Sequence, residues 1–341
     1  MGPTTWSLQA SLRGPTWHSR CRPIPNALAA VSRYCGSGRE LVNSAQVLRS
    51  VGRPMLPQAA FSRAMKRKQN LREAAELLTD GAHPNPCRRE LVEPHATWCY
   101  LPHIAATPGQ APDSQLLEVL HHMESELALA GLAFTDVIRT WFAVDRILDW
   151  YDSFNRVRND FFRDRGLLGG PIPASTAVGG QSATGSAVSA SAIAVRPHDA
   201  SLTRRPLQSP RQCEATHYAS AFSRAFAVDW PGSYRVYVSG TAAIDEHGRS
   251  MHRGDTRAQV QTTLDVIEDL LRSVDLTFAH ALDAKAYFRR RQDAPLIDLV
   301  HQRGVAVPVS CARAEICRDE LLFELELTAG WGPGARVEGV V

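Results

Sequence analysis

The feature that most limits how this chain folds is an internal repeat of apolar spacing at an offset of 144 residues. Leu116, Leu120, Met123, Leu127 and Ala130 recur with steps of 4, 3, 4 and 3, and Val260, Leu264, Ile267, Leu271 and Val274 recur with the same steps. Such steps put one apolar stripe on each of two amphipathic helices. The match runs on through the connection: Leu132-Ala133-Phe134 and then Val137 to Val144 answer Leu276-Thr277-Phe278 and then Ala281 to Phe288. A register that survives a loop predicts two copies of one supersecondary unit.

After each strand the pattern predicts a second helix, with Ile147, Leu148, Tyr151, Phe154 and Phe161 in one half and the shorter Leu296, Ile297, Leu299 and Val300 in the other. Arg165-Gly166 and Arg303-Gly304 close them. Each half then enters a strand through proline, at Pro171 to Thr176 and at Pro308 to Arg313, and ends in strands at Ala187 to Val195 and Leu321 to Leu327. This is an α+β unit in which helices cover one sheet face and the other is left to pack or to line a cleft. The expected division is an extension over 1–60, a first unit over 61–195 with a short helix around Leu71 to Leu78, a linker over 196–211, a second unit over 212–330 and a tail over 331–341.

Composition excludes several function classes. The 341 residues are 44% hydrophobic and 21% charged with a net charge of +3, which argues against wholesale disorder and against a phosphate-tracking surface, so no nucleic-acid partner is expected. No run approaches the roughly 18 apolar residues of a membrane span. Of 38 basic side chains only Lys66, Lys68 and Lys285 are lysines, which leaves little scope for Schiff-base chemistry. Seven scattered cysteines without a CxxC pair fit reduced thiols and a cytoplasmic setting. Without HExxH there is no obvious metal-ligand set, and the Gly-rich stretch Gly179 to Gly185 lacks both the phosphate-loop and dinucleotide spacings, so neither metal nor organic cofactor is expected. Residues 1–39 contain no Asp or Glu and five Arg, as transit peptides and misassigned starts do.

The residues that could carry chemistry gather near the C-terminus. Alternation over Ala312 to Ile316 and Phe323 to Leu327 puts Ala314, Ile316, Phe323, Leu325 and Leu327 on one face and Arg313, Glu315, Cys317, Glu324 and Glu326 on the other. If Asp319-Glu320 is a two-residue turn, Glu315 sits opposite Glu324 and Arg313 opposite Glu326, and a carboxylate facing another has its pKa raised, as a general acid requires. A solvated sheet face would give the same alternation. Upstream, Val236 to Ile244 is a strand that passes through the small residues Ser239, Gly240, Thr241 and Ala242, where a ligand can approach the backbone; a structural bulge would look alike.

Several segments resemble a known family. Gly131-Leu132 to Phe142, followed by Asn155, resembles the helix-loop-strand-helix core of the Rid (YjgF) fold, a chorismate-mutase-like unit. Arg139-Thr140-Trp141-Phe142, Asp149 to Arg158, Pro173-Ala174-Ser175-Thr176, Phe222-Ser223-Arg224-Ala225, Val238-Ser239-Gly240-Thr241-Ala242 and Ile316 to Glu326 are similar to the chorismatase and 3-hydroxybenzoate synthase branch. Together they cover residues 95–329.

The resemblance implies two tandem Rid-like units, a monomer or homotrimer, and cofactor-independent cleavage of chorismate to pyruvate and a hydroxybenzoate, 3-hydroxybenzoate first, or a dihydroxycyclohexadiene carboxylate. The first Glu of the terminal Glu-x-Glu strand would protonate the enol ether, which maps to Glu324. Cys317 stands where the family's residue helps decide the product. Arg139, Tyr218, Arg224, Gly240, Thr241 and Ala242 are the implied substrate contacts. Three departures stand out: a short His217 to Phe222 segment, Ala243 where Ser is usual, and Arg313 before the acidic residue of the penultimate strand. The alternative is the general Rid activity on enamines or imines, in which Arg313 would bind the substrate carboxylate.

Overall fold

The computed structural model describes residues 88–332. The expected extension, the helix around Leu71 to Leu78 and most of the expected tail lie outside the described residues.

The repeat appears element by element. Helix α1 (Pro112–Leu129) buries Leu116, Leu120, Met123 and Leu127, and helix α3 (Thr256–Arg272) buries Val260, Leu264, Ile267 and Leu271. Strands β3 (Val137–Val144) and β9 (Ala281–Phe288) begin and end 144 residues apart. Even the turns out of the helices match, because Gly131 (φ 69°) and Asp275 (φ 58°) occupy equivalent positions in the left-handed region. Aspartate tolerates that region better than most side chains, so the second copy dispenses with glycine.

The first unit adds β1 (Arg89–Val92), β2 (Ala96–Ala105), helix α2 (Ile147–Asp164), β4 (Ala174–Gly179) and β5 (Val188–Pro197), giving a five-stranded mixed sheet ordered β1-β2-β5-β3-β4. The second adds β6 (Thr203–Leu207), β7 (Ala225–Trp230), β8 (Ser233–Thr241), the short helix α4 (Asp298–Gln302), β10 (Val309–Arg313) and β11 (Phe323–Trp331), ordered β10-β9-β11-β8-β7-β6. In both units the strand after the second helix runs parallel to the strand before it, β4 beside β3 and β10 beside β9. A right-handed helical crossover is the ordinary way to make that connection. Thr203–Leu207, within the expected linker, pairs with β7 as an edge strand.

Helices cover one face of each sheet. Phe323, Leu325 and Leu327 pack in one core with Val260, Leu264, Ile267 and Leu271, each buried aliphatic or aromatic side chain contributing about 1.5–3 kcal/mol. The uncovered faces meet each other: Trp98, Ile138, Ala174 and Val195 of the first unit pack with Phe226, Val228 and Tyr237 of the second. At one end the join is made through backbone, where Ala174 bridges Ser223 in parallel, Ser223 N donates to Pro173 O, and Gly179 N donates to Glu315 O at 2.7 Å.

One expectation is overturned. β10 and β11 do not form a hairpin: β10 pairs with β9, and β11 is inserted between β9 and β8. Glu315 and Arg313 are exposed and do not face Glu324 and Glu326. The physical reason is the parallel β9-β10 ladder, which occupies the edge and sends the chain back across the sheet to the central slot beside β9 and β8.

Candidate active site

Strand alternation sends the odd residues of β11 into the helix-covered core and leaves Glu324 and Glu326 on the face turned toward the first unit. Both carboxyls are buried, at 4% and 6% exposure. Their surroundings differ. Glu326 accepts from Arg139 Nη2 at 2.5 Å, Trp141 Nε1 at 2.9 Å and Tyr287 Oη at 2.9 Å, and also from the Thr176 hydroxyl. Among the described residues no donor reaches the Glu324 carboxyl. Burial, followed by the repulsion of Glu326 and against the smaller pull of Arg139, pushes its pKa up to about 8.

Gly240 explains how that carboxyl fits. A Cβ there would lie 2.0 Å from Glu324 Oε1 and 3.0 Å from Thr176 Cγ2. Only glycine lets the acid rest against β8 where Gly240 N donates to Thr176 Oγ1 at 2.9 Å.

Glu324 opens onto a cavity of about 140 Å³ between the two units. Tyr151, Asp152 and Asn155 of α2 form one wall; Tyr218, Phe222 and Arg224 come from the segment before β7; Gly240, Ala242 and Ile244 from the end of β8; and Cys317 and Arg318 from the loop before β11. Helix α2 is broken at Trp150 (φ −145°), next to the wall residues, and the Trp150 indole donates to Asp145 O at 2.9 Å.

The cavity's cations lack carboxylate partners. Arg224 is buried and donates to Cys213 O while lying over the Tyr218 and Phe222 rings. Arg318 donates to Gly248 O at 2.6 Å and also lies over the Tyr218 ring. Behind the wall, Arg158 is 1% exposed, donates to Asn155 Oδ1 at 2.8 Å and Ser220 Oγ at 3.0 Å, and keeps an unpartnered Nε. None of the three makes an ion pair among the described residues, and the two that line the cavity, Arg224 and Arg318, can offer their charge to an anionic ligand. Cys317 is half-buried; desolvation and then Glu324 push its thiol up to about 12, so it stays protonated and is not a nucleophile at neutral pH.

Of the residues singled out from the sequence, Glu324, Cys317, Tyr218, Arg224, Gly240 and Ala242 therefore converge on one cavity. Arg139, Thr241 and Arg313 do not. Arg139 is committed to Glu326 and Thr176, the Thr241 hydroxyl donates to Ser239 O, and Arg313 lies exposed at the end of β10. Sequence reasoning assigned no role to Arg158, Arg318, Tyr151, Asn155 or Phe222, although all five stand in the segments that carried the resemblance. For Arg158 the signal that could have found it is the lack of an acidic residue at helical spacing, with Phe154, Asn155, Phe161 and Phe162 three and four away; Arg318, in a loop three residues after Glu315, carries no such signal. Among the described residues no three His, Cys, Asp or Glu side chains gather as a metal site would, and no helix is long and apolar enough to cross a membrane.

No family model matches the chain. The class defined by its architecture is a tandem pair of α+β units, each a mixed sheet with helices on one face. The crystal structure of a chorismatase at 1.08 Å resolution shares that architecture, with TM-score 0.60 and 20% identity over 73% of this chain and 78% of that one. Also similar, at scores too low to bear on the site, are the Rid-family protein YyfA of unknown function from Yersinia pestis (TM-score 0.31, 18% identity, 38% of this chain, 99% of that chain) and yeast Mmf1 (TM-score 0.30, 13% identity, 37% of this chain, 98% of that chain). The fold of this protein is thus chorismatase-like.

Proposed function

We propose that the protein is a chorismatase-like enzyme that releases pyruvate from chorismate by protonating its enol ether. The observation that carries this reading is a buried, donor-free carboxyl with a pKa raised to about 8, set in a cavity with two arginines that have no carboxylate partner. A neutral acid beside unpaired cations suits a dianionic substrate that must be protonated on carbon.

In this reading Arg224 and Arg318 hold the two substrate carboxylates by charge-assisted hydrogen bonds, and Arg158 fixes Asn155 in the cavity wall. The Glu324 O–H transfers its proton to the terminal methylene, which becomes a methyl group, while the ether oxygen shares the positive charge left on the neighbouring carbon. The new carboxylate of Glu324 stabilises that cation. Water adding to the carbon gives a hemiketal that collapses to pyruvate and a ring alcohol, with one water consumed. The 3-hydroxybenzoate outcome consumes no net water, because chorismate then divides into hydroxybenzoate and pyruvate. A protonated Cys317 beside the acid favours this second outcome, in line with the resemblance.

Incubating the protein with chorismate and following pyruvate by a coupled dehydrogenase, with the aromatic products separated by chromatography, tests the reading. Absence of pyruvate release would end it. Ammonia release from an enamine or imine substrate would instead favour the general Rid activity, which would have to work without Arg313 at the cavity.

A further inference from the structure

Glu326 has no part in the reaction as drawn, yet it is tied to both units. Three of its four donors, Arg139, Trp141 and Thr176, belong to β3 and β4 of the first unit, and the fourth, Tyr287, to β9. The Thr176 hydroxyl that donates to it also accepts from Arg139 Nη2 at 2.6 Å and from Gly240 N at 2.9 Å, the backbone against which Glu324 rests. A carboxyl with a guanidinium and three neutral donors is stabilised as an anion; a buried carboxyl with no donor is stabilised as a neutral acid. Two such groups on one face of one strand cannot both ionise cheaply, and their proton goes to the site without donors.

We propose that Glu326 is the positioning residue for the acid: clamped by Arg139, Trp141 and Thr176 of the first unit, it assigns the pair's proton to Glu324. This rests on the reading of Glu324 as the proton donor. The groups facing the pair are consistent with the assignment. From β3 comes Arg139; from β9 come Asp283, Lys285 and Tyr287; Arg235 and Tyr237 of β8 lie farther along, opposite Gly330 and Thr328 and coupled to Asp283; and from the cavity side come Cys317, Tyr151, Tyr218, Arg224 and Arg318. The one cation that touches either carboxyl, Arg139, touches Glu326, whereas Glu324 shares its cavity with the Tyr151 and Tyr218 hydroxyls and the Cys317 thiol. A brace between units would need only the hydrogen bonds of Glu326, whereas a positioning role needs its charge.

Glu326→Gln keeps the shape and removes the charge. With carboxyl-carbon-labelled glutamate, the Glu324 resonance is assigned by its loss in Glu324→Gln and its titration followed by NMR, beside the pH profile of pyruvate release. The expected result is a Glu324 titration that moves down by about one unit or more in Glu326→Gln, and an alkaline limb of the profile that moves down with it. An unmoved titration would overturn the proposal. So would a wild-type spectrum with the proton on Glu326 and Glu324 ionised at neutral pH, a measurement that decides the matter even where Glu326→Gln does not fold. The NMR titration needs no substrate, so failure of the chorismate reading shows as absent turnover and is distinguishable from failure of the proton assignment.

Discussion

The two units are copies in architecture and opposites in chemistry. Ser189 stands opposite Ala143 and Ser191 opposite Trp141 in the first sheet, while Glu324 stands opposite Tyr287 and Glu326 opposite Lys285 in the second. Since 143 and 287, and 141 and 285, are related by the 144-residue offset, the acid pair of the second unit is a serine pair in the first. Arg139 is likewise the counterpart of Asp283. The second helix diverges too: α2 runs for 18 residues and supplies a cavity wall, whereas its counterpart is a 3-10 segment followed by the five residues of α4. What packs is common to the two units and what faces the other unit differs, so the cavity is lined unequally, by α2 of the first unit and by three segments of the second.

The strongest way to break this comparison is at the acids. Glu324→Gln should lower pyruvate release by about a hundredfold to ten-thousandfold, since the amide keeps the shape without a transferable proton. Ser189→Ala, at the equivalent position, should leave turnover unchanged. Equal losses in steady-state assays would erase the asymmetry.

Packing should instead behave symmetrically. Leu127→Ala and Leu271→Ala remove equivalent, fully buried side chains from α1 and α3, and each should cost about 2–5 kcal/mol in denaturant unfolding. A large disparity would mean that the two cores are not equivalent.

A third test uses pH. The folded pKa of Glu324, about 8, lies above the ordinary carboxyl value, so the folded state holds a proton that the unfolded state releases. Stability is therefore full below the unfolded pKa and declines as pH rises through the folded one, by at most a few kcal/mol. Thermal melts from pH 5 to pH 8.5 should show that decline in wild type, and Glu324→Gln should melt higher at the alkaline end. Ser189→Ala should follow wild type.

The smallest effect separates the arginines. Arg224→Lys should raise KM by about tenfold while sparing kcat, because planar, two-pronged carboxylate binding is lost. Arg139→Lys should change kcat and its pH profile with little effect on KM, because this side chain meets Glu326 and not the cavity. Coinciding KM changes would return Arg139 to the substrate.

The repeat, the two helix stripes, the strand limits of β3 and β9 and the core side of β11 were all legible in the sequence, because periodicity reports burial directly. The segments holding Glu324, Cys317 and Arg224 stood out in the sequence through their resemblance to a family, and the structure brings these residues to one cavity with Tyr218, which lies in a segment that departs from that family's pattern. Strand partnership was not legible. Alternation tells which face Glu324 occupies but not which strand lies beside it: a tight turn at Asp319-Glu320 would make β10 its neighbour, whereas the parallel ladder to β9 puts β10 at the sheet edge. Nor could one chain segment disclose that Arg139 would be spent on Glu326, since that ion pair joins residues 187 apart. The sequence by itself determined two amphipathic α+β units and the residue types that line the cavity between them. Only tertiary structure decided which carboxyl is saturated with donors and which is left bare, because proton affinity depends on charges and burial brought together from both units.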